Sequence, residues 1–239
     1  MKKVFYIVFF ASLTFFSSSL MADDELEREC LKFVDAPEVV ITTSYGKLRY
    51  DHENSRKTIN RLYLNNNRIK GKAKTKTLST GLTNGLSNFE YKININSKVQ
   101  KKTIPSGITC VYPTFVNLYF GVGEDPVIYI AREYDKGTCM YKLVLRHEQT
   151  HQQIAQSVME SYLPVVKERF VEVVKNNVIA SRSYNINIST ATDMLKSIYA
   201  EVLNDLLLEI EEKTNIEQSK LDNAENYEYE TAICREQDQ

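Results

Sequence analysis

From Thr138 to Leu163 the chain contains neither glycine nor proline, and its apolar residues recur at three- and four-residue steps. Met140, Val144, Ile154, Val158 and Tyr162 fall on one stripe, the signature of an amphipathic helix with one face turned inward. His147 and His151 lie on that same stripe. Two histidines four apart on a helix stand one above the other, so both imidazoles can reach one cation. Buried neutral imidazoles need partners, and one metal ion satisfies both at once. The residues between them complete the pentapeptide His147-Glu148-Gln149-Thr150-His151, an H-E-x-x-H pattern. Its glutamate sits beside the first ligand, placed to act as general base toward a water on that cation. The expected cofactor is Zn2+, with His147 and His151 as ligands and Glu148 as the catalytic group. The chain has only 3 histidines. The third, His52, lies in a polar stretch (Tyr50 to Asn54) and reads as a surface residue.

The N-terminus reads as a secretory signal peptide over residues 1–22. Lys2 and Lys3 precede an apolar run from Val4 to Phe16, and small residues follow up to Ala22, with cleavage expected just before Asp23. The apolar run is shorter than the roughly 20 residues a spanning helix needs. No cysteine lies at the cleavage site to carry a lipid, and no later stretch is apolar enough to span a bilayer. We therefore expect an exported bacterial protein, periplasmic or secreted, without stable membrane insertion once the signal is removed. Export makes the 4 cysteines a disulfide framework with three possible connectivities. The pairing we expect is Cys30–Cys110 and Cys139–Cys234, the second tying the C-terminal tail to the start of the metal helix.

The formal net charge is -1, and loss of Lys2 and Lys3 leaves about -3. No overall basic excess points to nucleic acid, so none is expected as partner. Arg68, Lys70, Lys72, Lys74 and Lys76 alternate along Asn65 to Thr77, and read as a solvated strand or loop. Residues 23–239 are long enough for one domain, and 43% hydrophobic residues suffice to fill a core.

The fold class expected is α+β: residues 23–135 mainly β, residues 138–234 mainly α. Glu38 to Tyr45, Asn88 to Asn96 and Val127 to Ile130 read as strands, and Ile108 to Phe120 as two strands broken near Pro113. A strand starting just after Pro126 suits a sheet edge, which makes Ile128, Tyr129 and Ile130 candidates for holding an extended substrate by strand addition. Thr138 is the expected N-cap of the metal helix, which Pro164 ends or kinks. A second helix should follow over Val165 to Asn177. A third, capped by Thr190 or Thr192, should run from about Ala191 to Glu212, and Glu217 to Cys234 reads as a more polar helix.

The pentapeptide and its helix resemble the zincin metallopeptidases, and within them the glutamate-zincins. That resemblance implies His147 and His151 as ligands, Glu148 as base, and a third, carboxylate ligand on a following helix, where Glu172 stands. More loosely, most of the chain after the signal resembles secreted bacterial proteins with a zinc-peptidase domain. These combine an N-terminal β region, a Cys- and Tyr-containing lead-in to H-E-x-x-H, and long C-terminal helices. In such an architecture the C-terminal segment returns to the metal. Leu221 to Glu230 is then the suggestive stretch: Glu228 is the chosen third ligand, with Glu225 next and Glu172 and Glu201 behind. Tyr227 or Tyr229 would stabilise an oxyanion.

The function expected is an exported zinc metallopeptidase acting on a protein or peptide substrate. Two alternatives stand beside it: a non-catalytic exported interaction protein on the same scaffold, and a zinc amidohydrolase acting on cell-wall material.

Overall fold

The computed structural model describes residues 17–69, 83–123, 125–183 and 185–237. The order of elements is α1 (Ser17–Leu31), β1 (Glu38–Thr42), β2 (Arg49–Asp51), α2 (Arg56–Ile69), β3 (Gly85–Asn88), β4 (Tyr91–Thr103), β5 (Thr109–Val122), β6 (Val127–Ile130), α3 (Cys139–Asn176), β7 (Ile179–Ser181), α4 (Ile188–Leu221) and α5 (Ala224–Gln237). The class is α+β. The signal segment up to residue 16 lies outside the described residues, as do Lys70, Lys72, Lys74 and Lys76 of the basic stripe. Asn65 to Ile69, expected to be extended, ends helix α2 instead. No described helix is long and apolar enough to cross a membrane.

The strands form two sheets. One has the order β1-β5-β4, with β7 also pairing with β5. The other is three-stranded, β2-β6-β3, with β6 parallel to β2 and antiparallel to β3. β6 is therefore a central strand, hydrogen-bonded on both sides, and not the edge inferred from Pro126. Pro126 lies one residue outside the strand, and its carbonyl accepts from the Arg49 N–H at 2.9 Å, so its missing donor removes nothing from the ladder. Ile128 and Ile130 are fully buried. Neither the backbone nor these side chains of β6 are open to a substrate strand, and the substrate-binding role expected of Ile128, Tyr129 and Ile130 is withdrawn.

Where the sequence suggested one domain over 23–239, close contacts group the chain into two compact units. The first comprises the described residues within 17–39, 97–116 and 172–199. Its core gathers Cys30, Ile104, Ile108, Cys110, Tyr112 and Val178, and the Cys30–Cys110 disulfide lies within it. Here β5 pairs antiparallel with β7 over Thr109 to Val111. β5 continues through Pro113 without the expected break, because the locked φ of proline is compatible with extended backbone.

The second unit comprises the described residues within 40–96, 117–171 and 200–237. One of its cores packs Ile128 and Ile130 of β6 against Leu143 and Val144 of α3, beside Cys234. The Cys139–Cys234 disulfide closes this cluster. Both disulfides match the expected pairing, and two such bonds suit an oxidising compartment.

Two helix boundaries differ from expectation. α3 is a single helix with Pro164 inside it. A mid-helix proline costs about 3 kcal/mol. Val158 and Met159 before it and Val166 and Phe170 after it are all buried, and their packing outweighs that cost. α4 is capped not by Thr190 or Thr192 but by Asn187, whose Oδ1 accepts from the N–H groups of Ser189 (2.8 Å) and Thr190 (3.2 Å).

Candidate metal centre

The centre is assembled within the second unit from α3, the α4–α5 junction and α5. Thr138 caps α3 as expected: its Oγ1 accepts from the Tyr141 N–H at 3.3 Å. Two turns on, His147, Glu148 and His151 are all buried, with relative exposures of 4%, 7% and 8%. Three adjacent ionisable side chains do not leave water without partners.

The partner is Asp222. Its Oδ1 lies 3.2 Å from His147 Nε2 and 3.1 Å from His151 Nε2, and the two Nε2 atoms are 3.2 Å apart. Four donors held tetrahedrally at about 2.05 Å from zinc stand about 3.3 Å from one another. The observed triangle is within about 0.2 Å of that spacing. A point equidistant from its corners lies roughly 1.8 Å from each in their plane, so an ion at zinc distances would ride about 1 Å above it. Two imidazole nitrogens and a carboxylate oxygen are all electron-rich, and their convergence calls for a cation or shared protons among them. His147, His151 and Asp222 form a group that can hold a metal ion.

Asp222 is there because the helix breaks. α4 ends at Leu221 and α5 starts at Ala224, leaving Asp222 and Asn223 between them. Asn223 caps α5, its Oδ1 accepting from the Asn226 N–H at 2.8 Å. Asn226 Nδ2 in turn donates to the Leu221 carbonyl at 3.0 Å, and Asn223 Nδ2 to that of Lys220 at 2.6 Å. One orphan N–H of α5 and two orphan carbonyls of α4 are thereby satisfied, which ties the two helix ends together. The expectation of a continuous helix through this stretch hid the aspartate. The signal was present in the Asp-Asn pair, two residues that favour caps and turns over helix interiors.

The carboxylates expected as third ligand lie elsewhere. Glu228 and Glu225 are exposed. α5 buries Glu230 and Cys234, four residues apart, and Tyr227, 36% exposed, lies on the same side of the helix. Glu228 is rotated by about 100° from Tyr227 and about 200° from Glu230. Glu172 is exposed and rides on the same unbroken helix as the histidines, roughly six turns after His151, so it cannot return to them. Glu201 on α4 is also exposed. His52 is held structurally, its Nε2 2.8 Å from the Tyr134 carbonyl and its ring edge-on to Tyr141.

Glu148 points under β3. The Ser87 N–H donates to its carboxylate. Gly85 passes so close that a Cβ there would stand 2.7 Å from Glu148 Oε1. Burial pushes the Glu148 carboxyl up to about 7, against the lowering pull of His151 and His147. Burial alone would lower the His147 pKa, but Asp222, Glu148 and Glu230 around it raise it instead. Burial would raise Asp222, yet hydrogen bonds from His147, His151 and Tyr227 hold its carboxyl well below the usual carboxylate range.

Of the two tyrosines considered, Tyr229 is 67% exposed and Tyr227 is at the site. The Tyr227 hydroxyl donates to Asp222 Oδ1 at 2.9 Å and lies 3.2 Å from His147 Nε2. Burial and the neighbouring Asp222 charge raise its pKa, so the phenol keeps its proton.

No protein-family model matches this chain, and neither a curated protein nor a solved structure was found to be similar to it.

Proposed function

We propose that the chain is an exported zinc-dependent peptidase. The observation that carries this reading is the triangle of His147 Nε2, His151 Nε2 and Asp222 Oδ1, with the buried Glu148 next to it on the helix. Two imidazoles and one carboxylate are a donor set that would suit zinc, held by His147, His151 and Asp222. Zinc held there supplies Lewis-acid polarisation of the scissile carbonyl and makes water more acidic. Glu148 takes a proton from the attacking water as its oxygen bonds to the carbonyl carbon. It passes that proton to the nitrogen as the C–N bond breaks. A carboxyl raised by burial above its ordinary range suits a group that must both accept and return a proton. Tyr227 donates its hydroxyl hydrogen toward the oxygen that gains negative charge. The edge strand beside Glu148 is β3, so an extended peptide is expected along β3 rather than β6.

The test uses the protein purified without added metal. Elemental analysis should find one zinc per chain, and casein should be cleaved. Glu148→Gln should keep the zinc and lose at least about 100-fold in kcat/KM. Zinc without cleavage of any protein would favour the amidohydrolase or the non-catalytic scaffold. Absence of bound metal after incubation with zinc would end the reading.

A further inference from the structure

Glu230 is a buried carboxylate with no place in the hydrolytic scheme above. Its residue is 7% exposed, and a buried charge of this kind persists only with partners. One partner is Arg146, whose Nη2 stands 3.7 Å from Oε1. That arginine side chain is 63% exposed, so the pair is long and screened by water. The closer partner is His147, whose Nδ1 lies 3.3 Å from Glu230 Oε2.

The two nitrogens of His147 therefore face different groups. Nε2 faces His151 Nε2, Asp222 and the Tyr227 hydroxyl. Nδ1 faces Glu230. A neutral imidazole has one N–H and one lone pair, and the hydrogen bond at one nitrogen decides which is which. A carboxylate can only accept while it is ionised, so Glu230 draws the proton to Nδ1 and leaves the Nε2 lone pair for a cation.

The chain also builds a device that keeps Glu230 in place. Tyr227, Glu230 and Cys234 share one face of α5, and each meets α3. Tyr227 and Glu230 flank the His147 ring, and Cys234 is bonded to Cys139 one turn beyond Glu230. The disulfide thus anchors the helix that carries the carboxylate.

We propose that Glu230 is a positioning residue: it fixes the tautomer and orientation of His147, so that Nε2 is presented to the metal. This rests on the reading of His147, His151 and Asp222 as a zinc site. Outer carboxylates of this kind are worth roughly 10–100-fold in metal affinity.

The test is zinc affinity of the full chain with its disulfides intact, by competition with a chromophoric chelator. Glu230→Gln should bind zinc about 10–100-fold more weakly. Glu228→Gln, on the exposed side of α5, should bind as the parent does. Arg146→Gln should stay within about twofold, because its ion pair is solvent-screened. The second measurement is nitrogen–proton NMR of zinc-loaded protein carrying labelled histidine. With only 3 histidines, each ring can be assigned by substitution. His147 should show a slowly exchanging Nδ1–H and a metal-shifted Nε2, a signature that a merely structural carboxylate would not produce.

Parent-like affinity in Glu230→Gln overturns the proposal while leaving the zinc site standing. A His147 that binds zinc through Nδ1 overturns it even if Glu230→Gln fails to fold. A parent chain that takes up no zinc removes the site reading and this role together.

Discussion

Gly85→Ala tests the placement of Glu148 without touching His147, His151 or Asp222, the proposed metal ligands. An added Cβ would stand 2.6 Å from Val144 Cγ1, 2.7 Å from Glu148 Oε1 and 2.8 Å from Glu148 Cγ, where ordinary contact begins at 3.4 Å. Relief therefore takes about 0.6–0.8 Å at three atoms. Val144 and Glu148 lie one turn apart on α3, so no single rotamer change clears both. Either β3 lifts from the helix, against its four-residue pairing with β6, or Glu148 is pushed aside. Overpacking of this size costs about 1–3 kcal/mol. Replacing glycine by alanine also gains about 0.4–1 kcal/mol by restricting the unfolded chain, which is too little to reverse the sign. For a chain of this length the net loss, at most about 2.6 kcal/mol, corresponds to a Tm lower by up to roughly 10 °C. The effect on cleavage should be larger, because moving a catalytic group by about 1 Å can cost about 100-fold. Zinc stoichiometry should not change, since neither histidine is touched. Calorimetry, casein cleavage and elemental analysis on one preparation read all three. An alanine variant with unchanged Tm and unchanged cleavage would refute the close passage of β3 over Glu148, and the placement of the base with it.

Asp222→Ala should lower zinc affinity by at least about 100-fold, whereas Glu225→Gln and Glu228→Gln should leave it unchanged; chelator competition reads the difference. Replacing Cys139 and Cys234 together by serine should loosen α5 and weaken zinc binding in the folded chain, and unaltered affinity would show that α5 holds its place without the bond. Tyr91 tests alkaline stability. Burial pushes its phenol up to about 12, with its hydroxyl 2.8 Å from Thr214 Oγ1. A raised folded pKa gives stability that is complete below about pH 10 and lost as pH rises toward 12. Urea midpoints should therefore fall more steeply above pH 10 in the parent than in Tyr91→Phe, and parallel curves would contradict the burial of that hydroxyl.

The sequence made some parts of this molecule legible and concealed others. The metal helix could be read because its signal is local: apolar periodicity, Thr138 as cap, and two histidines one turn apart. The short strands β2, β3 and β7 gave little local pattern, since three or four residues are too few to show a period. The edge position inferred for β6 failed because a proline outside a strand says nothing of its neighbours. Local propensity has Pro164 end or kink the helix, and with buried apolar residues on both sides α3 continues through it.

By itself the sequence determined the α+β class and the inward-facing pair His147 and His151 with Glu148 between them, while four cysteines still allowed three pairings. Only the tertiary structure decided that the carboxylate meeting both histidines is Asp222 and not Glu228, Glu225 or Glu172. The reason is physical: ligand convergence depends on where a helix stops and how its successor is rotated. At Asp222-Asn223 those quantities are set by capping bonds and by a disulfide linking residues 95 apart in the chain, neither of which has a periodic trace in the sequence.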